Sequence, residues 1–294
     1  MIWLGVSIAL VGALGYAGGA ALQQYEAVHG GANLKLVRRP RWLIGGVIGL
    51  LGAGLHAVAL SFAPLVLIQP VSVTTLVFAV PLAAVLHGRR PHKSEVLGSI
   101  AVAAGLLGLM LLIPQSNTPP VLSTPAAIAF LAVVGTVVAV CHIASRRARG
   151  PMKALLLSIG AGSVTASVST FVRVVGGGLG GDLSRLLHWF TVAIPVLLVF
   201  AIVLLQKSYA VGYFGIAYAG VQVIDPITSV IAGAVLLGEP LPTEVSDVIP
   251  AIISAAVLIA GTITLSRLTP ETTQAVTPPH AEIPIPVISK AGVR

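Results

Sequence analysis

Nine apolar runs fill most of this chain, each around 20 residues long, and that is the length an α-helix needs to cross the hydrocarbon core of a bilayer. Nothing else in the sequence restricts the fold as strongly. In lipid every backbone N–H and C=O must find a partner within the protein, which leaves helices or a closed barrel. Barrel strands would show as alternating segments of about ten residues, and the runs here are too long and too evenly apolar for that. Composition agrees: 56% of residues are hydrophobic and 9% charged, against roughly a quarter charged in a soluble domain. The expected class is an all-α integral membrane protein.

The runs fall at about 1–22, 42–62, 65–87, 95–113, 125–144, 152–172, 188–206, 211–237 and 246–266. Prolines punctuate the joints: Pro40, Pro64, Pro91, Pro119-Pro120, Pro151, Pro240 and Pro242. Only Ala63-Pro64 separates the second run from the third, so those two helices are expected to be antiparallel neighbours. Met1 to Leu22 lacks a basic leader segment and a convincing cleavage site, and reads as a retained first span. From Arg267 onward the chain is Pro- and Thr-rich without periodicity, as a disordered tail would be.

A net charge of +8 raises the question of nucleic acid. The cations lie in short clusters between the apolar runs, where cytoplasmic loops carry them, so no nucleic-acid partner is expected. Fifteen of the 17 Lys and Arg fall on one side of a nine-span chain, among them Arg38, Arg39, Arg89, Arg90, Arg146, Arg147 and Lys207; only Arg173 and Arg185 fall on the other. The alternation places the N-terminus outside and the C-terminus inside. A basic chain rich in Ala, Gly and Val with few Lys suits a GC-rich bacterium, so the expected location is the bacterial plasma membrane. The single cysteine, Cys141, sits in an apolar run and reads as a small hydrophobe.

Ile68-Gln69-Pro70-Val71-Ser72-Val73 resembles Ile224-Asp225-Pro226-Ile227-Thr228-Ser229, and each lies in a span that ends at a glycine, Gly88 or Gly238. The third span thus pairs with the eighth and the fourth with the ninth. A separation of five helices is odd, so the copies face opposite ways, which is the inverted-repeat architecture of many secondary transporters. The division expected is a first repeat of four spans at 1–113, a linking span with the second repeat at 114–266, and the tail at 267–294.

Ser61-Phe62-Ala63-Pro64-Leu65-Val66-Leu67-Ile68-Gln69-Pro70-Val71-Ser72 resembles the "AFAP…VTPLG" stretch of NIPA-type membrane proteins, a branch of the drug/metabolite transporter (EamA-like) superfamily. Leu205-Gln206-Lys207-Ser208-Tyr209-Ala210 with Asp225-Pro226 is similar to that family's "LNKAL…VTPIY" region, and Leu237-Gly238-Glu239-Pro240 to the superfamily's "lGE" ending. The resemblance covers nearly all of residues 1–266. It implies an inverted-repeat transporter fold and, for the NIPA branch, magnesium transport. The family's second-span glutamate falls on Ala53, its asparagine on His56, and the acidic residue after the third span is replaced by Arg89-Arg90. Magnesium favours carboxylate oxygen, so these departures bear on the ion and not on the fold.

Asp225 is the only acidic residue deep inside a span, and a carboxylate at mid-bilayer costs roughly 2.5–3.5 kcal/mol on insertion scales. It must face a cavity or hold a proton, and either suits a coupling group. Pro226 has no N–H, which frees the Gln222 carbonyl. Tyr218, Gln222, Asp225 and Ser229 share one helix face and form a polar stripe in an otherwise apolar span. Gln69, Pro70 and Ser72 are the first-half counterparts, and His56 is a further coupling candidate. The hydroxyls of the sixth span, Ser158 to Thr170, read as small residues that let helices approach, as do Gly15/Gly19 and Gly45/Gly49.

There is no GxxxxGK[ST] loop, no nucleophile–base pair and no HExxH, so neither an ATPase nor another enzyme is expected, and no cofactor or resident metal. The expected function is secondary transport of a small solute by two inverted halves, with coupling through Asp225. A NIPA-like magnesium transporter and a non-transporting scaffold, or partner for a lipid-linked intermediate, remain as alternatives. The partners are a small molecule or ion and the lipid bilayer, with a homodimer left open.

Overall fold

Among the residues described by the computed structural model (2–32, 34–59, 62, 65–112, 121–176, 187–238 and 245–267), there are nine α-helices and no strand. They are α1 (Ile2–Gly30), α2 (Pro40–Ala59), α3 (Leu65–Leu86), α4 (Lys93–Leu111), α5 (Thr124–Arg147), α6 (Gly150–Gly176), α7 (Trp189–Tyr209), α8 (Phe214–Leu237) and α9 (Val245–Ser266), with a 3-10 turn at Leu34–Arg38. Seven of them, α1 and α4 through α9, are long and apolar enough to cross a membrane. In α3 the apolar stretch with described side chains is Val73–Leu86. Large side chains such as Leu50, Val192, Val235 and Ile249 point outward, as they do when the surrounding solvent is hydrocarbon.

Every apolar run became a helix, with one boundary well off. α1 continues eight residues past the expected end, to Gly30. At 29 residues it is about 43 Å long, more than a perpendicular crossing of roughly 30 Å of hydrocarbon needs, and Gln23, Gln24 and Glu26 lie in its last two turns. The polar residues there are held by tertiary contacts: Arg39 Nη1 donates to the buried Glu26 at 3.0 Å, and Gln206 Nε2 on α7 donates to Gln23 at 3.4 Å.

The expectation that α2 and α3 are close neighbours needs correction. Among the described residues they barely touch, while α1 packs extensively on both. The α1–α2 seam is backbone against backbone: a Cβ on Gly52 would stand 2.6 Å from the Gly12 carbonyl oxygen, and Gly19 abuts Gly45 and Gly49. Lipid tails are as apolar as leucine, so helix association in a bilayer depends on such close approach. The α4–α9 seam repeats the device, with Gly105 against Ser254 and Leu258 and Gly261 against Gly98. In α6, Ser163, Thr165, Ser167 and Thr170 donate to carbonyls one turn back, which satisfies them inside their own helix.

The connections between α1 and α2, α3 and α4, α5 and α6, and α7 and α8 gather at one end of the bundle. His29 stacks on His87 with ring centroids 5.6 Å apart, Gly150 abuts Tyr213, and Leu265 near the end of α9 packs on Gly98 and Gly215. That end carries Arg38, Arg89, Arg146, Arg149 and Lys207. Both α3 and α8 stop at glycines in the left-handed conformation, Gly88 at φ 71° and Gly238 at φ 66°, a geometry that a Cβ would disfavour. Glu239, Pro240 and residues 268–294 lie outside the described residues.

Candidate functional site

A cavity of about 260 Å³ lies where α1, α2, α3 and α8 converge. Its wall is Gly12, Ala13 and Tyr16 from α1, Gly52, Ala53 and His56 from α2, Thr75 from α3 and Gln222 from α8. Space exists here because the α1–α2 seam is made of glycine and alanine, which bring the backbones together without filling the room beside them. Tyr16 is 43% exposed and Ala53 is exposed, so the chamber is open to its surroundings.

α8 supplies the polar stripe anticipated from its spacing. Gln222 Nε2 donates to Thr75 Oγ1 at 3.1 Å, the side-chain bond that ties α8 to α3. One turn earlier Tyr218 is buried beside Thr75, yet its hydroxyl oxygen makes no well-formed hydrogen bond among the described residues. Its ring packs on Phe214 at 5.3 Å, and Phe214 packs on the buried Tyr209 at 5.2 Å, so the aromatic side of the stripe is fixed. One turn later Asp225 accepts from Ser229 Oγ at 3.2 Å, with Ser169 of α6 as a second hydroxyl partner. Asp225 is close enough to Tyr16 for its charge to act on the phenol, so it sits at the edge of the same polar zone although it does not line the cavity. Pro226 follows it inside the unbroken helix.

The sequence-derived candidates therefore divide. Gln222 and His56 line the cavity, Tyr218 and Asp225 adjoin it through Thr75 and Tyr16, and Ser229 holds Asp225. Gln69, Pro70 and Ser72 belong to α3, but their side chains lie outside the described residues. Sequence reasoning missed Tyr16 and Thr75. A lone tyrosine within the Gly12–Gly19 run was a usable signal; Thr75 was hidden next to Thr74, which only bonds the Val71 carbonyl of its own helix. Ala53 and His56 face this one chamber together.

Chemically, the zone offers phenol, hydroxyl, carboxamide and imidazole groups around a small space, with a single carboxylate at its rim. Among the described residues no three His, Cys, Asp or Glu side chains come together as a metal site would need. Such a chamber can hold a small polar solute or a hydrated ion by hydrogen bonds.

Fold and composition together define an all-α, multi-pass membrane protein. It is similar to an uncharacterized protein of Corynebacterium glutamicum, 26% identical over 246 residues that span 80% of this chain and 82% of the relative. No family model matches the sequence, and no solved structure matches it.

Proposed function

We propose that the chain is a secondary transporter of the drug/metabolite superfamily. In this reading nine helices span a bacterial plasma membrane with the N-terminus outside, and two inverted repeats rock about the α1–α2–α3–α8 chamber to expose it to each side in turn. The observation that carries the reading is the chamber itself: a small polar cavity walled by α3 and α8, the two helices paired by the internal sequence similarity, with Asp225 within electrostatic reach of Tyr16 in its wall. Helix packing supports it. α1 packs on α2 and α3, and α6, five helices on, packs on α7 and α8; α4 meets α9 across the two sets. The matched ends at Gly88 and Gly238 share one backbone conformation. Asp225 is the proton- or cation-responsive group, Gln222 with Thr75 and Tyr16 orients the solute, and His56 faces it from α2.

A NIPA-like magnesium transporter is the second reading: Ala53 and His56, where that family carries a glutamate and an asparagine, both line the chamber, although the carboxylate itself is lost. With a single carboxylate nearby, magnesium would pass with much of its water retained, as this ion prefers. Flux measured in proteoliposomes beside the Asp225→Asn variant tests both. Magnesium flux that the variant loses supports the ion reading. Flux of an organic solute under a proton gradient, again lost in Asp225→Asn, supports the broader one. A chain that carries neither, and whose variant still binds a protein partner or lipid-linked intermediate as the native chain does, is a scaffold.

A further inference from the structure

Two other cavities meet at the basic end of the bundle, and neither belongs to the transport chamber. The first, of about 760 Å³, lies between the 3-10 turn with the start of α2 and the second half of α7. Its wall is carbon for most of its extent: Leu36, Val37, Val199, Ile202 and Val203. Val37 and Val199 are exposed, so this slot opens sideways onto the face that meets lipid. The second, of about 570 Å³, is formed by the ends of α5, α6 and α7 and is cationic, with Arg146, Arg149, Lys153 and Lys207 in its wall. The two cavities share Ala32 and Lys207, and Lys35 lines the slot as well. Among the described residues, no Asp or Glu lines either one.

A second feature marks the junction. Gln206 lines the slot and is 4% exposed; its Nε2 donates to Gln23, while its Oε1 is buried with no hydrogen-bond partner among the described residues. The indole Nε1 of Trp42, in the same wall, is also buried and unpartnered. An acceptor and a donor left unmade in a carbon-lined wall are costly unless something fills them. An occupant that satisfies this surface is carbon along one part, has ester or hydroxyl oxygens at its neck, and is anionic at its head.

We propose that this compound cavity binds one anionic phospholipid from the leaflet at the basic end. An acyl chain occupies the slot. The glycerol and ester region meets Trp42 Nε1 and Gln206 Oε1, and the phosphate-bearing headgroup lies over Lys207, Lys153 and Arg149. A zwitterionic lipid fits less well, because its amine would face cations with no carboxylate to pair with. A soluble phosphate ester would leave the carbon slot unused. The cavity lies between α7 and the α1–α2 connection, elements of opposite halves in the proposed repeat, so a lipid seated there bridges them.

The test is native mass spectrometry of the full chain, titrated in detergent with phosphatidylglycerol, with phosphatidylcholine of the same acyl chains, and with sn-glycerol 3-phosphate. One phosphatidylglycerol per chain should be retained well above phosphatidylcholine. Each lysine removed from a surface facing anionic lipid is worth roughly a fivefold loss, so Lys153→Ala/Lys207→Ala should weaken phosphatidylglycerol about thirtyfold. Arg90→Ala removes an exposed cation outside both cavities and should change nothing. Val203→Trp, which fills the slot from an exposed position, should weaken both lipids. Circular dichroism confirms that each variant keeps its helices. Equal retention of the two lipids overturns the proposal. So does an Arg90→Ala effect as large as that of the lysine pair, which would mean diffuse surface charge, or glycerol phosphate binding as tightly as phosphatidylglycerol, which would mean a soluble-anion site.

Discussion

Replacing Thr75 by valine keeps the shape of the α3 side chain and removes one oxygen. That oxygen accepts from Gln222 at 3.1 Å and lies beside the buried Tyr218 hydroxyl, so the change leaves the Gln222 amide facing a methyl group. Interhelical hydrogen bonds in membrane proteins average about 0.6 kcal/mol and reach about 1.7. With a well-formed bond between the buried Thr75 and the half-buried Gln222, Thr75→Val should cost about 1 kcal/mol. The diagnostic quantity is the coupling. Thr75→Val and Gln222→Leu each break the same bond, so the double variant should be less destabilised than the sum of the two by about 0.5–1.5 kcal/mol. Unfolding by SDS in mixed micelles, followed by the fluorescence of the three tryptophans, measures each corner of the cycle. Thr262 is the control: its hydroxyl donates to Leu258 of its own helix, and Thr262→Val should not couple to Gln222. If Thr75→Val and Gln222→Leu add to within about 0.3 kcal/mol, the α3–α8 bond is not made and the chamber wall is not built as described.

Three further outcomes follow from the packing and the charges. Gly105→Val places a Cβ 2.6 Å from both the Leu258 nitrogen and the Ser254 oxygen, and should cost about 3 kcal/mol or prevent assembly, seen as lost monodisperse yield; Gly135→Ala, with open space around it, should be tolerated. Arg89 forks onto Glu95 at 2.6 and 2.7 Å, and the carboxylate is 6% exposed, so Arg89→Ala should cost about 3 kcal/mol, with much of it recovered in Arg89→Met/Glu95→Gln. At the basic end, burial holds the His87 imidazole below the ordinary histidine range, opposed by its bond to the Ala83 carbonyl and reinforced by His29 and Arg89. The unfolded chain then binds the proton more readily, so stability is full above pH about 6.5 and falls as pH drops toward the lowered value. Thermal unfolding at stepped pH should show that fall, and it should flatten in His87→Gln.

The helices were legible because lipid leaves so few ways to satisfy a backbone. Run length, prolines at the joints and loop cations marked all nine, and even the stripe from Tyr218 to Ser229 could be read from its period. Which helices touch was not legible. α2 and α3 are adjacent in sequence, but glycines on α1 and α2 let α1 pack against α2 in close contact, so α1 takes the place beside both. The end of α1 was misjudged for a related reason: Gln23, Gln24 and Glu26 look like an exit into water until Arg39 and Gln206 are known to meet that segment. Within the site, Gln222 and Asp225 stood out as costly residues for lipid. Tyr16 and Thr75 are cheap to bury and gain meaning only from the helices opposite them.

Ala53 offers the most direct test of alternating access, because it lines the chamber and its replacement by cysteine adds little bulk. The only native thiol is Cys141, so Cys141→Ala gives a clean background. A membrane-impermeant maleimide is applied to right-side-out and to inverted vesicles carrying Ala53→Cys. Two inverted halves rocking about this chamber predict labelling from both sides, at rates that a transported solute shifts in opposite directions. Labelling from one side only, unchanged by any gradient or solute, would contradict the transport account.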